Sequence, residues 1–255
     1  MPKASVSHLV LIPSYNTGYK VFETVRAART FWDPVWVVVD GSTDGTEEEL
    51  VRIAQGDPGL EVFVLPHNSG KGAAVLRGLR EAAARGFTHA LTMDADDQHP
   101  ADLIPQFISA SQRHPRSLIL GKPVFGSEAP RARVLGRKLS NAFTDLETLW
   151  AGIGDSLFGF RVYPVRPLLD LMESTWWMRR FDFDAEAVVR LVWNGFAPLN
   201  LPAPVRYWKS HQGGVSHFNY VRDNALLVSM HLRLLFGFLV RLPTLLARRV
   251  RPKPR

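Results

Sequence analysis

Short apolar runs alternate with longer amphipathic stretches through the first half of the chain, and the two periodicities assign the elements. Val6–Ile12 reads as a buried strand, and Val35–Val39, Leu60–Leu65, Thr88–Met93 and Ser117–Leu120 read as the strands that follow it. Between them Gly18–Arg29, Asp44–Gln55, Gly70–Arg85 and Ala101–Gln112 read as helices, the second opened by Thr46 and three glutamates and the third rich in alanine. Regular βα alternation predicts an α/β, doubly wound and mostly parallel sheet with helices on both faces. Ligands of such a sheet bind beyond the carboxyl ends of its strands.

The pattern changes in the last third. After Pro202-Ala203-Pro204 an edge strand is expected over Val205–Lys209, followed by Gly213-Gly214-Val215-Ser216-His217-Phe218 and a long apolar segment from Asn224 to Val240. Ser229, His231 and Arg233 interrupt that segment, while Leu226, Leu227, Met230, Leu234 and Phe238 recur at helical spacing. Pro243 is expected to break the helix before Leu245. The pattern suits a pair of interfacial helices lying among lipid headgroups, or a helix packed on the preceding domain. Residues 1–210 are therefore expected to form the α/β domain and residues 211–255 an amphipathic, basic helical extension that associates with a membrane.

Charge sharpens this division. The 255 residues carry 31 Lys and Arg against 24 Asp and Glu, a net +7, but residues 241–255 hold six cations and no acid. Without them the body is nearly neutral, with no basic stripe interleaved with aromatics, so an anionic membrane surface fits better than nucleic acid. The absence of cysteine excludes disulfides, thiolate metal sites and thiol redox chemistry. The amino terminus lacks the long apolar stretch of a secretory signal, so a cytosolic chain is expected, peripheral on the cytoplasmic face of the membrane.

Candidate chemistry gathers at the strand ends. Met93-Asp94-Ala95-Asp96-Asp97-Gln98-His99-Pro100 sets two carboxylates one residue apart where an apolar strand stops, a pattern suited to Mg²⁺ or Mn²⁺ shared with substrate phosphates. After the first strand, Pro13-Ser14-Tyr15-Asn16 offers polar groups and a ring for a base or ribose. After the second, Asp40 enters a glycine-punctuated loop, Gly41–Thr46, where it could accept from the edge of a base. After the third, Asn68-Ser69-Gly70-Lys71-Gly72 allows close backbone approach before a helix, with a lysine for a phosphate or a carboxylate. A P-loop and a G-x-G-x-x-G fingerprint are both missing, which removes the main support for dinucleotide-dependent hydride transfer.

In order and spacing, Ile12–Asn16, Val39–Asp44, Asn68–Gly72 and Met93–Pro100 resemble the family 2 inverting glycosyltransferases of the GT-A fold. The Asp-Ala-Asp-x-Gln-His-Pro form is most similar to polyprenyl-phosphate hexosyltransferases of the dolichyl-phosphate mannose synthase type, over about residues 6 to 200. The tail motifs are similar to a bacterial subgroup associated with envelope lipids. The resemblance implies a nucleotide-sugar donor, UDP- or GDP-linked, and a lipid or lipid-phosphate acceptor. Pro13, Tyr15, Asn16, Asp40, Lys71, Asp94, Ala95 and Asp96 would bind the donor, with Asp40 on the base and Lys71 near the nucleotide. Asp94, Asp96 and Gln98 would gather at the metal and diphosphate. Many relatives carry paired acids where Val39-Asp40 stands here, so base preference does not transfer.

Asp155-Ser-Leu-Phe-Gly-Phe-Arg161 resembles a family element close to the acceptor, and Arg179–Arg190 a later acidic element with Asp184 and Glu186 as alternative counterparts. A hydroxyl acceptor would need a base, Asp184 first, then Asp155 and Glu186. A lipid phosphate would need cations instead. Arg131, Arg133, Arg137 and Lys138 lie where related enzymes place acceptor-binding arginines, with Arg161 nearby. His217 could meet the diphosphate or metal, or cap a helix beside Ser216; Trp176-Trp177 could be an interfacial anchor or partly buried core. Two other classes share features: a sugar-phosphate nucleotidyltransferase, which would want a Gly-rich basic loop after the first strand, and a non-catalytic nucleotide-binding domain that docks on membranes.

Overall fold

The computed structural model describes residues 3–125, 131–206 and 220–250. A two-residue pair, β1 (Lys3–Ala4) with β3 (Trp32–Asp33), accompanies a seven-stranded sheet. The sheet contains β2 (His8–Ser14), β4 (Val35–Asp40), β5 (Leu60–Leu65), β6 (His89–Thr92), β7 (Ser117–Val124), β8 (Arg161–Pro164) and β9 (Ala197–Pro204). Their spatial order is β5-β4-β2-β6-β8-β7-β9, parallel throughout except that β8 runs antiparallel to both its neighbours.

Both faces of the sheet are covered, which explains the unbroken apolar runs. Along β2 and β4, Val10, Ile12, Val35, Val37 and Val39 enter one core, while Leu9, Leu11, Trp36 and Val38 enter the other. Helices α1 (Lys20–Phe31) and α4 (Ile104–Arg113) close the first core; α3 (Lys71–Ala84), α6 (Val165–Glu173) and α7 (Asp182–Trp193) close the second. Helix α2 (Thr46–Gln55) connects β4 to β5, and α5 (Arg131–Glu147) precedes β8. The segment expected as one helix from Ala101 begins as a 3-10 turn, Ala101–Leu103, before α4.

Among the described residues the edge strand is β9, and Val205 and Arg206, the described part of the expected Val205–Lys209 strand, follow it outside any strand. Pro198, Pro202 and Pro204 sit in it, as prolines can only where a strand has a free side. Pairing persists just beyond it, since Val205 N–H donates to Val124 O at 3.1 Å and Arg206 N–H to Gln98 O at 3.1 Å. Residues 207–209, the Gly213–Phe218 motif with His217, and Arg251, Lys253 and Arg255 lie outside the described residues.

The expected helix pair is one helix, α8 (Tyr220–Val250), with Pro243 inside it rather than at a break. Contacts on both sides of the proline hold it in line: Leu242 and Leu245 pack toward the domain, and Arg248 donates to the Trp193 carbonyl. Met230, Leu234 and Phe238 of α8 form a third core with Ala185, Val189 and Trp193 of α7. The outward side is apolar too, with Val228, Leu232, Phe236, Leu239 and Val240 exposed.

This docking has a simple consequence. Leu234 is fully buried and Leu232 is 64% exposed, so Leu234→Ala should lower unfolding free energy by about 2–4 kcal/mol and Leu232→Ala by less than about 0.5 kcal/mol. Urea denaturation checks this; equal effects would mean that α8 is not seated on α7.

Candidate functional site

The loops after β2 and β4 are laced together before any ligand is considered. Asn16, in left-handed geometry at φ 45°, accepts from Thr43 N–H through its side-chain oxygen at 2.7 Å and donates its own backbone N–H to Ser42 Oγ at 3.0 Å. Asp44 accepts from Gly18 N–H at 2.9 Å and from Thr46 Oγ1 at 2.6 Å. Pro13 is buried within β2, and Tyr15 is half-buried just beyond it. Asp40, at the end of β4, accepts from Ser69 N–H at 2.8 Å and Gly70 N–H at 2.7 Å. Its two oxygens therefore pin the loop before α3, a partner the sequence reading, which aimed it at a base, did not anticipate.

That loop delivers Lys71. Gly70 (φ 103°) and Gly72 lie so close to the Met178–Arg180 segment that an added Cβ would meet Arg179 O at 2.4 Å and Met178 O at 2.2 Å. Here the glycines admit a neighbouring backbone that leads into α7, and the lysine takes the carboxylate option. Lys71 Nζ stands 2.6 Å from Asp94 Oδ1 and 2.7 Å from Asp184 Oδ2. Gly159 makes room for this contact, since a Cβ there would lie 2.7 Å from Lys71 Nζ and 2.9 Å from the Asp94 carboxylate. The lysine expected beside the nucleotide thus bridges the first carboxylate of the Asp94-Ala95-Asp96 turn and the leading base candidate. Asp184 Oδ1, buried, has no hydrogen-bond partner among the described residues.

The turn itself rests on His99, a residue to which no motif assigns a role. His99 Nδ1 accepts from Asp94 N–H at 3.0 Å, which leaves the proton on Nε2, 3.6 Å from Asp94 Oδ2. The ring is buried against Phe158 and Phe160 at 4.6 and 5.5 Å, and burial lowers its pKa to about 4. The signal was the position of the histidine in Gln98-His99-Pro100, directly after the acids. Ala95 is buried, and Gln98 N–H donates to Asp96 Oδ1 at 3.1 Å.

Charge is unevenly compensated. Burial works against ionisation of Asp94, but Lys71 and then His99 outweigh it and hold the carboxyl down at about 2. Burial, and after it the neighbouring Asp94, push Asp96 up to about 7. Burial also raises Asp184, against the pull of Lys71. Burial opposes the charge on Lys71 too, yet Asp184 and Asp94 raise it well above the ordinary lysine range.

The remaining candidates divide into two groups. Asp155, buried, accepts from Arg137 at 2.5 Å, from Leu157 N–H at 2.9 Å and from Asn141 at 3.3 Å. Arg137 projects from α5 and is partly exposed; Arg131 and Arg133 lie in the first turn of the same helix, and Lys138 is exposed. Arg161 is not available to an acceptor as expected. It is fully buried and donates to Tyr163 Oη at 2.8 Å, to Asp155 O at 2.9 Å and to Asp184 O, joining the two carboxylate-bearing segments from inside. Glu186 faces away from Lys71, bound by Trp177 Nε1 and Arg190 at 2.7 Å and by Arg233 at 2.9 Å. This engagement removes it from the base candidates. Trp177 is half-buried and Trp176 is 84% exposed.

The model of glycosyl transferase family 2 matches residues 9–182, which contain the loops after β2, β4, β5 and β6 but stop short of Asp184. The chain belongs to that family. It is 28% identical over 200 residues to polyprenol monophosphomannose synthase of Mycolicibacterium smegmatis, covering 76% of this chain and 75% of that one. It is 24% identical over 196 residues to the UDP-N-acetylglucosamine–dolichyl-phosphate N-acetylglucosaminyltransferase of Methanococcus voltae, covering 71% and 78%. Glucosyl-3-phosphoglycerate synthase of Mycobacterium tuberculosis, solved with Mn²⁺, UDP-glucose and phosphoglyceric acid, shares the fold. Its TM-score is 0.60 at 17% identity, covering 91% of this chain and 79% of that one.

A divalent cation fits the family site in a limited way. Among the described residues no group of three or more His, Cys, Asp or Glu could hold a metal. Mg²⁺ and Mn²⁺ need only one or two carboxylates when substrate phosphates and water complete the shell, and Asp96 is an acid short of counter-charge.

The Asp96 shift fixes a sign. With its folded value near 7 and its unfolded value near 3.8, the folded protein holds a proton that the unfolded chain releases in between. Its contribution is present below pH 4 and lost as pH rises to 7. In metal-free buffer, Asp96→Asn should therefore gain stability relative to the parent between pH 5 and pH 8, measured by urea unfolding at each pH. A constant difference would place Asp96 in an ordinary solvated setting.

Proposed function

We propose that this chain moves a hexose from a nucleotide-diphosphate sugar to a lipid-linked acceptor, such as a polyprenyl phosphate, at the cytoplasmic surface of a membrane. The observation that carries this reading is the Lys71 bridge, which ties Asp94 of the acidic turn to Asp184 on α7 at the carboxyl ends of the parallel strands. Donor-side and acceptor-side carboxylates are then parts of one cluster. Both relatives named above are, by their names, transferases linked to polyprenol or dolichyl phosphate, one for mannose and one for N-acetylglucosamine. Sugar and base stay open between UDP- and GDP-linked donors.

The chemistry follows from residue types. An acceptor oxygen attacks the anomeric carbon while the bond from that carbon to the diphosphate oxygen breaks, so configuration inverts and the nucleoside diphosphate leaves with both electrons of that bond. Mg²⁺ or Mn²⁺ on Asp94 and Asp96, with Gln98 and His217 as further candidates, would neutralise the diphosphate charge. A lipid phosphate is already anionic, so Arg137, aided by Arg131 and Arg133 on the same helix, holds it. If the acceptor is a hydroxyl, its proton passes to Oδ1 of Asp184, which has no partner among the described residues and belongs to a carboxyl whose raised pKa suits a base. Asp40, Tyr15 and Asn16 shape the nucleotide end of the cleft.

The outer face of α8 supports peripheral attachment. Val221–Arg249 is long and apolar enough to cross a membrane by length and composition, yet one side of it is seated on α7. Its exposed leucines, Phe236 and the cations Arg241, Arg248 and Arg249 suit an anionic lipid surface, each cation adding about 1 kcal/mol near it.

Two outcomes test the reading. Asp96→Asn should reduce sugar transfer at least a hundredfold and abolish the metal-dependent part of UDP or GDP affinity in calorimetry, whereas full turnover at saturating metal would refute it. Sedimentation with phosphatidylglycerol vesicles should fall sharply when Arg241, Arg248 and Arg249 become glutamine and only slightly with neutral vesicles. No binding by the parent chain at low salt would point to a soluble acceptor.

A further inference from the structure

Of the three polar residues that interrupt the apolar run of α8, His231 and Arg233 turn inward. Arg233 stands 2.9 Å from Glu186 and 3.4 Å from Asp182, buried acids on either side of Asp184 in the first turns of α7. His231 Nδ1 lies 2.9 Å from Oε1 of the fully buried Glu147 at the end of α5, and its Nε2 lies 3.1 Å from Ser140 Oγ. Hydrogen bonds continue from Ser140 to Ser156 at 3.2 Å, from Ser156 to Asn141 at 2.7 Å, and from Asn141 to Asp155, the partner of Arg137. One helix therefore grips both flanks of the cluster: the helix that carries Asp184 and the helix that carries Arg137.

Stability alone does not account for these residues. Buried ion pairs are commonly no more stabilising than apolar residues of the same volume, but they enforce one arrangement, because any shift leaves charge without a partner. Sliding α8 by one residue would part three buried carboxylates, Glu147, Asp182 and Glu186, from His231 and Arg233. The outer face of the same helix is the apolar one proposed to meet lipid.

We propose that α8 is a working part of the transfer site, with His231 and Arg233 as positioning residues. Arg233 fixes the first turn of α7 and thereby Asp184; His231 fixes the Ser140–Asp155 line and thereby Arg137. This rests on the reading that Arg137 holds a phosphate acceptor and that Asp184, through Lys71, fixes Asp94 against the departing diphosphate.

The test uses the full chain, with UDP-glucose and GDP-mannose as donor probes and decaprenyl phosphate in detergent micelles as acceptor probe. Arg233→Met should lower kcat at least tenfold with the donor KM within twofold, and Arg233→Lys should recover most of the loss. His231→Leu should raise the KM for decaprenyl phosphate at least fivefold with little change in kcat, and His231→Asn should fall between it and the parent. Folded variants with parental constants overturn the proposal. So does a loss of all constants in proportion to the loss of folded protein. Backbone hydrogen exchange without substrates separates this from the functional reading. If the parent transfers neither sugar, the reading fails, and faster exchange at residues 182–186 in Arg233→Met and 153–157 in His231→Leu still sustains the positioning role. Unchanged exchange there overturns it.

Discussion

The site is organised around one largely buried lysine. Lys71 is held between Asp94 and Asp184, residues 23 and 113 positions away in the chain, and its ammonium is the only group that touches both among the described contacts. Each neighbouring feature exists to bring that nitrogen to that place. Asp40 fixes the loop before α3, Gly70 and Gly72 let it press against the segment leading into α7, and Gly159 leaves the space that any side chain would fill. His99 holds the acidic turn from beneath, and Arg161 joins the backbone of Asp184 to that of Asp155.

Such a cluster needs a stiff frame, because removing one partner of a buried pair commonly costs about 3–5 kcal/mol and misplacing it costs part of that. The frame is the doubly covered sheet. Parallel strands β2, β4 and β6 end side by side, so the three loops carrying Asn16, Asp40 and Asp94 emerge on one rim without further arrangement. The antiparallel β8 then feeds Phe158, Gly159 and Arg161 back under that rim, and α7 crosses it with Asp184 pointing in and Glu186 pointing out toward α8.

Much of this was legible in the sequence. Buried strands and their helices follow from apolar runs and caps, and the boundaries of β5 are those the pattern set. The family, the fold and the acidic turn follow from motifs that are local. What escaped was decided by contacts between distant segments. Nothing near Lys71 reveals that its partner is Asp184, and nothing in Glu186 reveals that Trp177, Arg190 and Arg233 have already claimed it. Arg161 was expected beside an acceptor because its motif resembles an acceptor-side element, yet it begins an interior strand and its guanidinium is bonded inside the protein. Pro243 looked like a stop because local propensity cannot include the packing of Leu242 and Leu245 or the bond from Arg248 that carries α8 through it.

The central claim is that Lys71 and Asp184 act as one unit rather than as neighbours. A double-mutant cycle measures this directly, using urea unfolding of the parent, Lys71→Met, Asp184→Asn and the double variant in metal-free buffer at pH 7. The Lys71 bridge predicts a coupling free energy of at least about 1.5 kcal/mol, with the double variant more stable than the sum of the single losses allows. Losses that add to within about 0.3 kcal/mol would contradict it.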